Sequence, residues 1–462
     1  MGSKSVKFSA SCGSLVILAT VLAGCSSGLP KLPKVADLNP FAQKQKPLPG
    51  KRIPVLPARE VVPGELAVAD QAIVVPPPSV NQAWAYPGGA ATNAPGHLSL
   101  GATLTKGWSA SAGKGSSKAG RITATPIVYG GRAYTLDARG TISAFNLASG
   151  ARAWQVSLKP DTETVTGGDF FSLGSGDSAT GGYGGGIAAE EGKIFAASGY
   201  GLVAALNPAS GKKIWDRNLN TPLRAAPTVS NGRVFIVTID GRTYCLSAVD
   251  GVELWVVRGL PQTASIVSSV SPAVLGDTVV VPYPSGDLVA LNVADGTTKW
   301  TENLARSRAT SQMASLSDAA SPAISDGVVY AVGHAGRMVA TKIDSGERLW
   351  SSRVPGTQTP YVAGGSVFVV DTSGQLMALS RKSGNIQWTM KIPGESRTWV
   401  GPVLAGGALR VVSSKGEIVS VEPTSGKVLK KTSIGSPVYV APIVAQNRML
   451  VLTDDAELYS LN

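Results

Sequence analysis

The sequence predicts an all-β protein, an eight-bladed β-propeller of four-stranded antiparallel blades whose last blade is closed by an N-terminal strand. Three observations carry this. A Gly-x-aliphatic-x-small-apolar motif occurs eight times, a second glycine and a tryptophan follow it at fixed offsets, and the last copy is incomplete while an orphan tryptophan segment stands upstream of the first. The 54 glycines and 30 prolines among 462 residues suit many short strands joined by turns.

Residues 1–24 read as an export signal. Lys4 and Lys7 precede an apolar stretch, Leu15–Gly24, that is well short of the roughly 20 apolar residues a spanning helix needs. It ends in Leu22-Ala23-Gly24-Cys25, which resembles the lipobox of bacterial lipoproteins. That resemblance implies cleavage before Cys25, acylation of its sulfur and new amine, and, with Ser26 rather than Asp next, sorting to the outer membrane. Several acyl chains make such anchoring stable, each buried CH₂ contributing about 0.8 kcal/mol.

Residues 25–100 follow as a tether, with 13 prolines after Cys25 and little periodicity. Such a composition buries too little apolar surface to offset its ordering entropy. Between residues 31 and 59 stand Lys31, Lys34, Lys44, Lys46, Lys51, Arg52 and Arg59 against Asp37 alone. This run either leans on anionic lipid head groups or is a solvated linker. The formal charge of +12 falls to +10 once Lys4 and Lys7 leave, and no basic-aromatic pattern points to nucleic acid.

From residue 101 to 462 the repeat takes over. Its first glycines are Gly140, Gly201, Gly241, Gly286, Gly336, Gly374 and Gly416, with Ala456 in the eighth copy. Ten residues on stand Gly150, Gly211, Gly251, Gly296, Gly346, Gly384 and Gly426; fourteen on stand Trp154, Trp215, Trp255, Trp300, Trp350 and Trp388. Copies lie 38 to 61 residues apart, the mark of one structural unit with loop insertions. Runs such as Val234–Val237 make buried strands, the glycines make the hairpins, and the tryptophan rides the outermost strand, where it wedges against the next blade. The eighth copy stops at Asn462 before its tryptophan strand, and Leu104–Ala110, carrying Trp108, has no blade of its own. The upstream segment therefore closes the ring and removes its open edge. Ile187 in place of a blade-start proline, Lys430 in place of Trp and Ala456 in place of Gly mark the blades expected to be least regular.

Little catalytic chemistry is visible. There are two histidines, His97 in the tether and His334 in a turn, too few for a catalytic triad or a His/Cys metal set. Asp137, Asp240, Asp371, Asp454 and Asp455 sit near the first glycine, a setting for Asx turns. Gly181–Gly186 lacks the Lys-Ser/Thr of a phosphate cradle and reads as a flexible loop. Cys12 leaves with the signal and Cys25 takes lipid, so Cys245 stands alone in a strand as a buried thiol.

The repeat as it stands in Gly286–Trp300 resembles the blade repeat shared by pyrroloquinoline-quinone enzymes and their relatives. Joined to the lipobox and eight blades, it is similar to the BamB family of the outer-membrane β-barrel assembly machinery, over residues 101–462 and the Cys25 region. This resemblance implies a lipid-anchored, non-enzymatic scaffold on the periplasmic face of the outer membrane. It would be monomeric apart from its complex, bind the periplasmic domains of BamA and need no cofactor. Contact residues carried over are Leu223 and Arg224, before Ala226-Pro227, and Leu316 and Asp318 around Ser317, before Ser321-Pro322. In both, the spacing to the proline is shorter than in the family. The alternatives are a quinone-dependent dehydrogenase, which typically carries an adjacent Cys-Cys disulfide and a Ca²⁺ site, and a propeller that binds cell wall or sugar. No two cysteines are adjacent here.

Overall fold

Short apolar runs punctuated by glycine set the strands. In the first copy Arg132–Leu136 (RAYTL) is buried after its first residue, whereas Arg152–Ser157 alternates exposed and half-buried positions, as an outermost strand must. The computed structural model describes residues 72–118, 120–159, 184–223, 225–259, 270–304, 319–334, 336–395 and 397–462. Cys25, the signal and the basic run lie outside the described residues.

Eight four-stranded antiparallel sheets form a ring. The first blade runs from Ile127–Tyr129 to Arg152–Ser157, the second from Gly185–Glu190 to Lys213–Asn218 and the third from Thr228–Ser230 to Glu253–Arg258. The fourth runs from Ala273–Leu275 to Thr298–Asn303, the fifth from Ala323–Ser325 to Arg348–Ser352 and the sixth from Tyr361–Ala363 to Ile386–Lys391. The seventh comprises Trp399–Ala405, Ala408–Ser413, Glu417–Val421 and Val428–Ser433. The eighth is built from both ends of the chain. Ile443–Ala445, Arg448–Leu452 and Glu457–Leu461 are completed by Lys106–Ser111, with Trp108 opposite Ser460.

The blade tryptophans and second glycines are partners across blades. Each of Trp108, Trp154, Trp215, Trp255, Trp300, Trp350 and Trp388 donates its indole N–H to a backbone carbonyl in the next blade, at 2.6–3.2 Å. Each ring also lies on the second glycine of that blade. A Cβ on Gly251, whose φ is +75°, would stand 2.6 Å from the Trp215 ring, so both backbone conformation and close approach require glycine there. In five blades the tryptophan tilts against an aromatic of the second strand, as Phe235 and Trp255 do at 5.9 Å. Charge adds a partly buried clamp, the two-pronged pairing of Arg348 in the fifth blade with Glu302 in the fourth.

Lys430 now has a physical explanation. A tryptophan in the seventh blade would need a glycine turn between the third and fourth strands of the eighth. Those strands, Glu457–Leu461 and Lys106–Ser111, come from opposite ends of the chain and share no turn. The irregular blades keep their strand count; the departures appear in their first strands. That of the second blade is six residues long, and that of the seventh is seven with a register break between Val400 and Val403. Ala456 itself adopts φ +62° in its turn.

Two expectations need correction. Residues 72–100, read as tether, belong to the folded unit: Trp84, Tyr86, Leu98 and Leu100 are buried. A handful of large apolar side chains outweighs the proline content once a ring of strand ends is available to receive them. Likewise Gly185 and Gly186 form a buried strand rather than a loop. A Cβ on Gly186 would fall 2.3 Å from Ala226, so these glycines let the second and third blades approach closely.

Candidate functional surface

Strand direction divides the ring into two faces. Because neighbouring strands are antiparallel, the first and third turns of every blade lie on one face. The middle turn and the connection to the next blade lie on the other. The first strands of adjacent blades approach one another and line the axis.

Residues 79–98 cover the first face. Trp84 exchanges backbone hydrogen bonds with Val128 of the first blade, and Ala85, Ala91 and Thr92 accept the N–H groups of Ala189, Val274 and Ile324. The Tyr86 hydroxyl donates to the Val229 carbonyl at 2.8 Å, and the Tyr361 hydroxyl to that of Gly96 at 2.6 Å. The Leu98 N–H reaches Leu404, and Asn81 reaches Val444. One segment thus touches the first strand of all eight blades and closes that end of the axis. His97, read as a tether residue, is part of this closure. Its Nδ1 donates to the Pro76 carbonyl at 2.6 Å while Nε2 accepts the Gly407 N–H at 3.0 Å. Those two partners fix the neutral Nδ1–H tautomer.

The opposite face carries the connections between blades, and the described Leu223 lies there. Leu223 is fully buried, its backbone bridged to Thr238. Its side chain therefore anchors the loop from below and offers no surface itself. Arg224, Leu316 and Asp318 lie outside the described residues, but what flanks them is described. Ala225 and Ala226 are buried against the third blade, and Ala319 is bridged to Gly333 of the fifth. The described residues that flank both segments, Leu223, Ala225 and Ala319, thus lie on this face, ahead of the third and fifth blades. Burial of Leu223 was not readable from the local sequence, because a leucine beside an arginine in a loop carries no periodicity to mark its side.

The carboxylates on this face are occupied by their turns. Asp137 accepts the N–H groups of Lys114, Arg139 and Thr141, and Asp371 those of Ser373 and Gln375. Asp240 pairs with Arg242 at 2.9 Å, and Asp454 takes the Ser116 hydroxyl. His334 lies on the middle turn of the fifth blade. Among the described residues no three His, Cys, Asp or Glu side chains converge as a metal set.

Cys245 is buried between Phe235 and Trp255 in the strand register. Burial pushes its thiol up to about 12, only slightly offset by Arg233. A thiol-specific alkylating reagent at pH 8 is expected to leave Cys245 unmodified in the folded protein and to label it fully in denaturant, as read by mass spectrometry.

A family model described as outer membrane protein assembly factor BamB matches residues 138–390 and 388–462, more than half of the chain. The chain belongs to the BamB family. Curated BamB relatives from Burkholderia pseudomallei (27% identical over 194 residues, 42% of this chain and 44% of the relative) and Yersinia pestis (26% over 209 residues, 45% and 50%) match part of it. So does an uncharacterised protein of Rickettsia conorii, 30% identical over 176 residues, 38% of this chain and 39% of that protein. The chain thus spans half or less of the length of these relatives. Among solved structures, BamB from Moraxella catarrhalis superposes with a TM-score of 0.66 at 18% identity, over 78% of this chain and all of that one. A quinohemoprotein alcohol dehydrogenase from Comamonas testosteroni superposes with 0.62 at 13%, over 82% and 80%. At these identities both likenesses speak for the fold alone. The BamB assignment rests on the family model.

Proposed function

We propose that this BamB-family propeller is a non-enzymatic scaffold of the outer-membrane β-barrel assembly machinery. Lipid on Cys25 holds it at the periplasmic face of the outer membrane, and the loops at 223–224 and 316–318 bind the periplasmic domains of BamA. The observation that supports this reading is that the described residues flanking both loops, Leu223, Ala225 and Ala319, lie on the face that residues 79–98 leave uncovered. An arginine and an aspartate in the adjoining sequence are chemically suited to charge-assisted contacts with a partner. Cys25 contributes anchoring only, and the buried Leu223 side chain contributes packing beneath its loop.

Co-purification tests it. Wild-type protein is expected to retain BamA through washing, whereas Arg224→Glu and Asp318→Lys each lose most of it with unchanged thermal stability. Retention of BamA by both variants would overturn the loop assignment. The likeness to a quinohemoprotein dehydrogenase supplies one rival. Dye reduction after adding quinone and Ca²⁺, at a rate dependent on this protein, would establish that rival instead.

A further inference from the structure

Across six blades the face turned to the next blade carries an apolar–small–tryptophan row, such as Tyr134, Ala144 and Trp154. In the seventh blade the same register reads Arg410, Ser420 and Lys430. Arg410 is 2% exposed, yet it meets no acid: its Nη1 donates to the Ser420 hydroxyl, and its Nε has no partner among the described residues. Lys430 is exposed at the rim and forms no ion pair with the described residues, nor do Lys427 and Lys431 beside it. A buried guanidinium without a counter-charge is costly. Burial draws the Arg410 guanidinium below its ordinary range, with no carboxylate to oppose the shift. A lysine stem is also slimmer than the indole it replaces, and no glycine turn of the eighth blade stands opposite it.

We propose that the seam between the seventh and eighth blades is a binding site for an oxyanion, a phosphate or carboxylate group. Arg410 holds it from within, and Lys430 closes over it from the rim. The guanidinium presents Nε–H and its remaining Nη–H donors to two oxygens of one group, the fork geometry that suits phosphate and carboxylate. Ser420, already taken by Nη1, keeps the fork oriented. The rim lysines raise the local anion concentration.

Thermal unfolding with inorganic phosphate, against chloride at matched ionic strength, is the test. Wild-type protein is expected to gain about 2 °C at saturating phosphate. Lys430→Ala, a surface change that leaves folding intact, is expected to lose at least half of that gain. The double variant Arg410→Leu with Lys430→Ala, which removes both cations, is expected to lose all of it. Equal phosphate stabilisation in all three proteins, or none in the wild type, would overturn the site. Flotation with vesicles then separates the sources. Preference for phosphatidylglycerol over phosphatidylcholine that falls several-fold in Lys430→Ala assigns a lipid phosphate, and equal flotation of the two proteins assigns a free oxyanion.

Discussion

Trp255→Ala is expected to destabilise the propeller by about 3–5 kcal/mol, read as a fall in the denaturant midpoint at unchanged slope. Three losses coincide there. The indole leaves a cavity beside Phe235 and Cys245, the Val293 carbonyl loses its donor at 3.1 Å, and the Gly296 turn loses the ring it rests on. The same truncation at the equivalent place in the seventh blade, Lys430→Ala, is expected to change stability by less than about 0.5 kcal/mol, because that side chain is exposed. The contrast checks that the repeat position matters through the neighbouring blade's turn rather than through the strand that carries it. Equal effects at 255 and 430 would show that the cross-blade pairing is not what stabilises the ring.

Leu98→Ala is expected to cost about 2–5 kcal/mol, although it lies in a segment whose composition reads as linker. Leu98 is 1% exposed, its N–H donates to Leu404, and its carbonyl accepts the N–H of Gly406. The segment it belongs to is joined directly to the strand that closes the eighth blade, so covering the face and closing the ring are coupled. Val74→Ala, at an exposed residue of the same segment, is the control and is expected to be neutral. A neutral outcome at Leu98 would return residues 72–100 to the tether.

The architecture was legible because each blade repeats one physical solution. Gly251 and Trp215 recur at fixed spacing since a ring and a turn must meet wherever two blades touch. Even the truncated eighth copy and the stray Trp108 pointed to closure by the upstream strand. The covering segment was not legible, because Trp84, Tyr86 and Leu98 each pack on a different blade. A side chain received by a ring of separate strand ends needs no periodicity of its own, and none is present. Of the contact positions, Leu223, Arg224, Leu316 and Asp318 were reached only through resemblance, and burial of the Leu223 side chain was not readable from the sequence. The cationic row at Arg410 and Lys430 was half visible: the lysine stood out against the repeat, but pairing it with an arginine twenty residues earlier needed the strand register.

The scaffold reading is tested most directly by site-specific photocrosslinking in intact cells, from positions 224 and 318, ahead of the third and fifth blades in the sequence, and from 231 on the covered face. Asn231 sits at an exposed first turn of the third blade, so it reports the face crossed by residues 79–98. Adducts with BamA from 224 and 318, and none from 231, are the predicted result. Adducts from 231 alone, or from none of the three while the protein remains in the outer membrane, would contradict it.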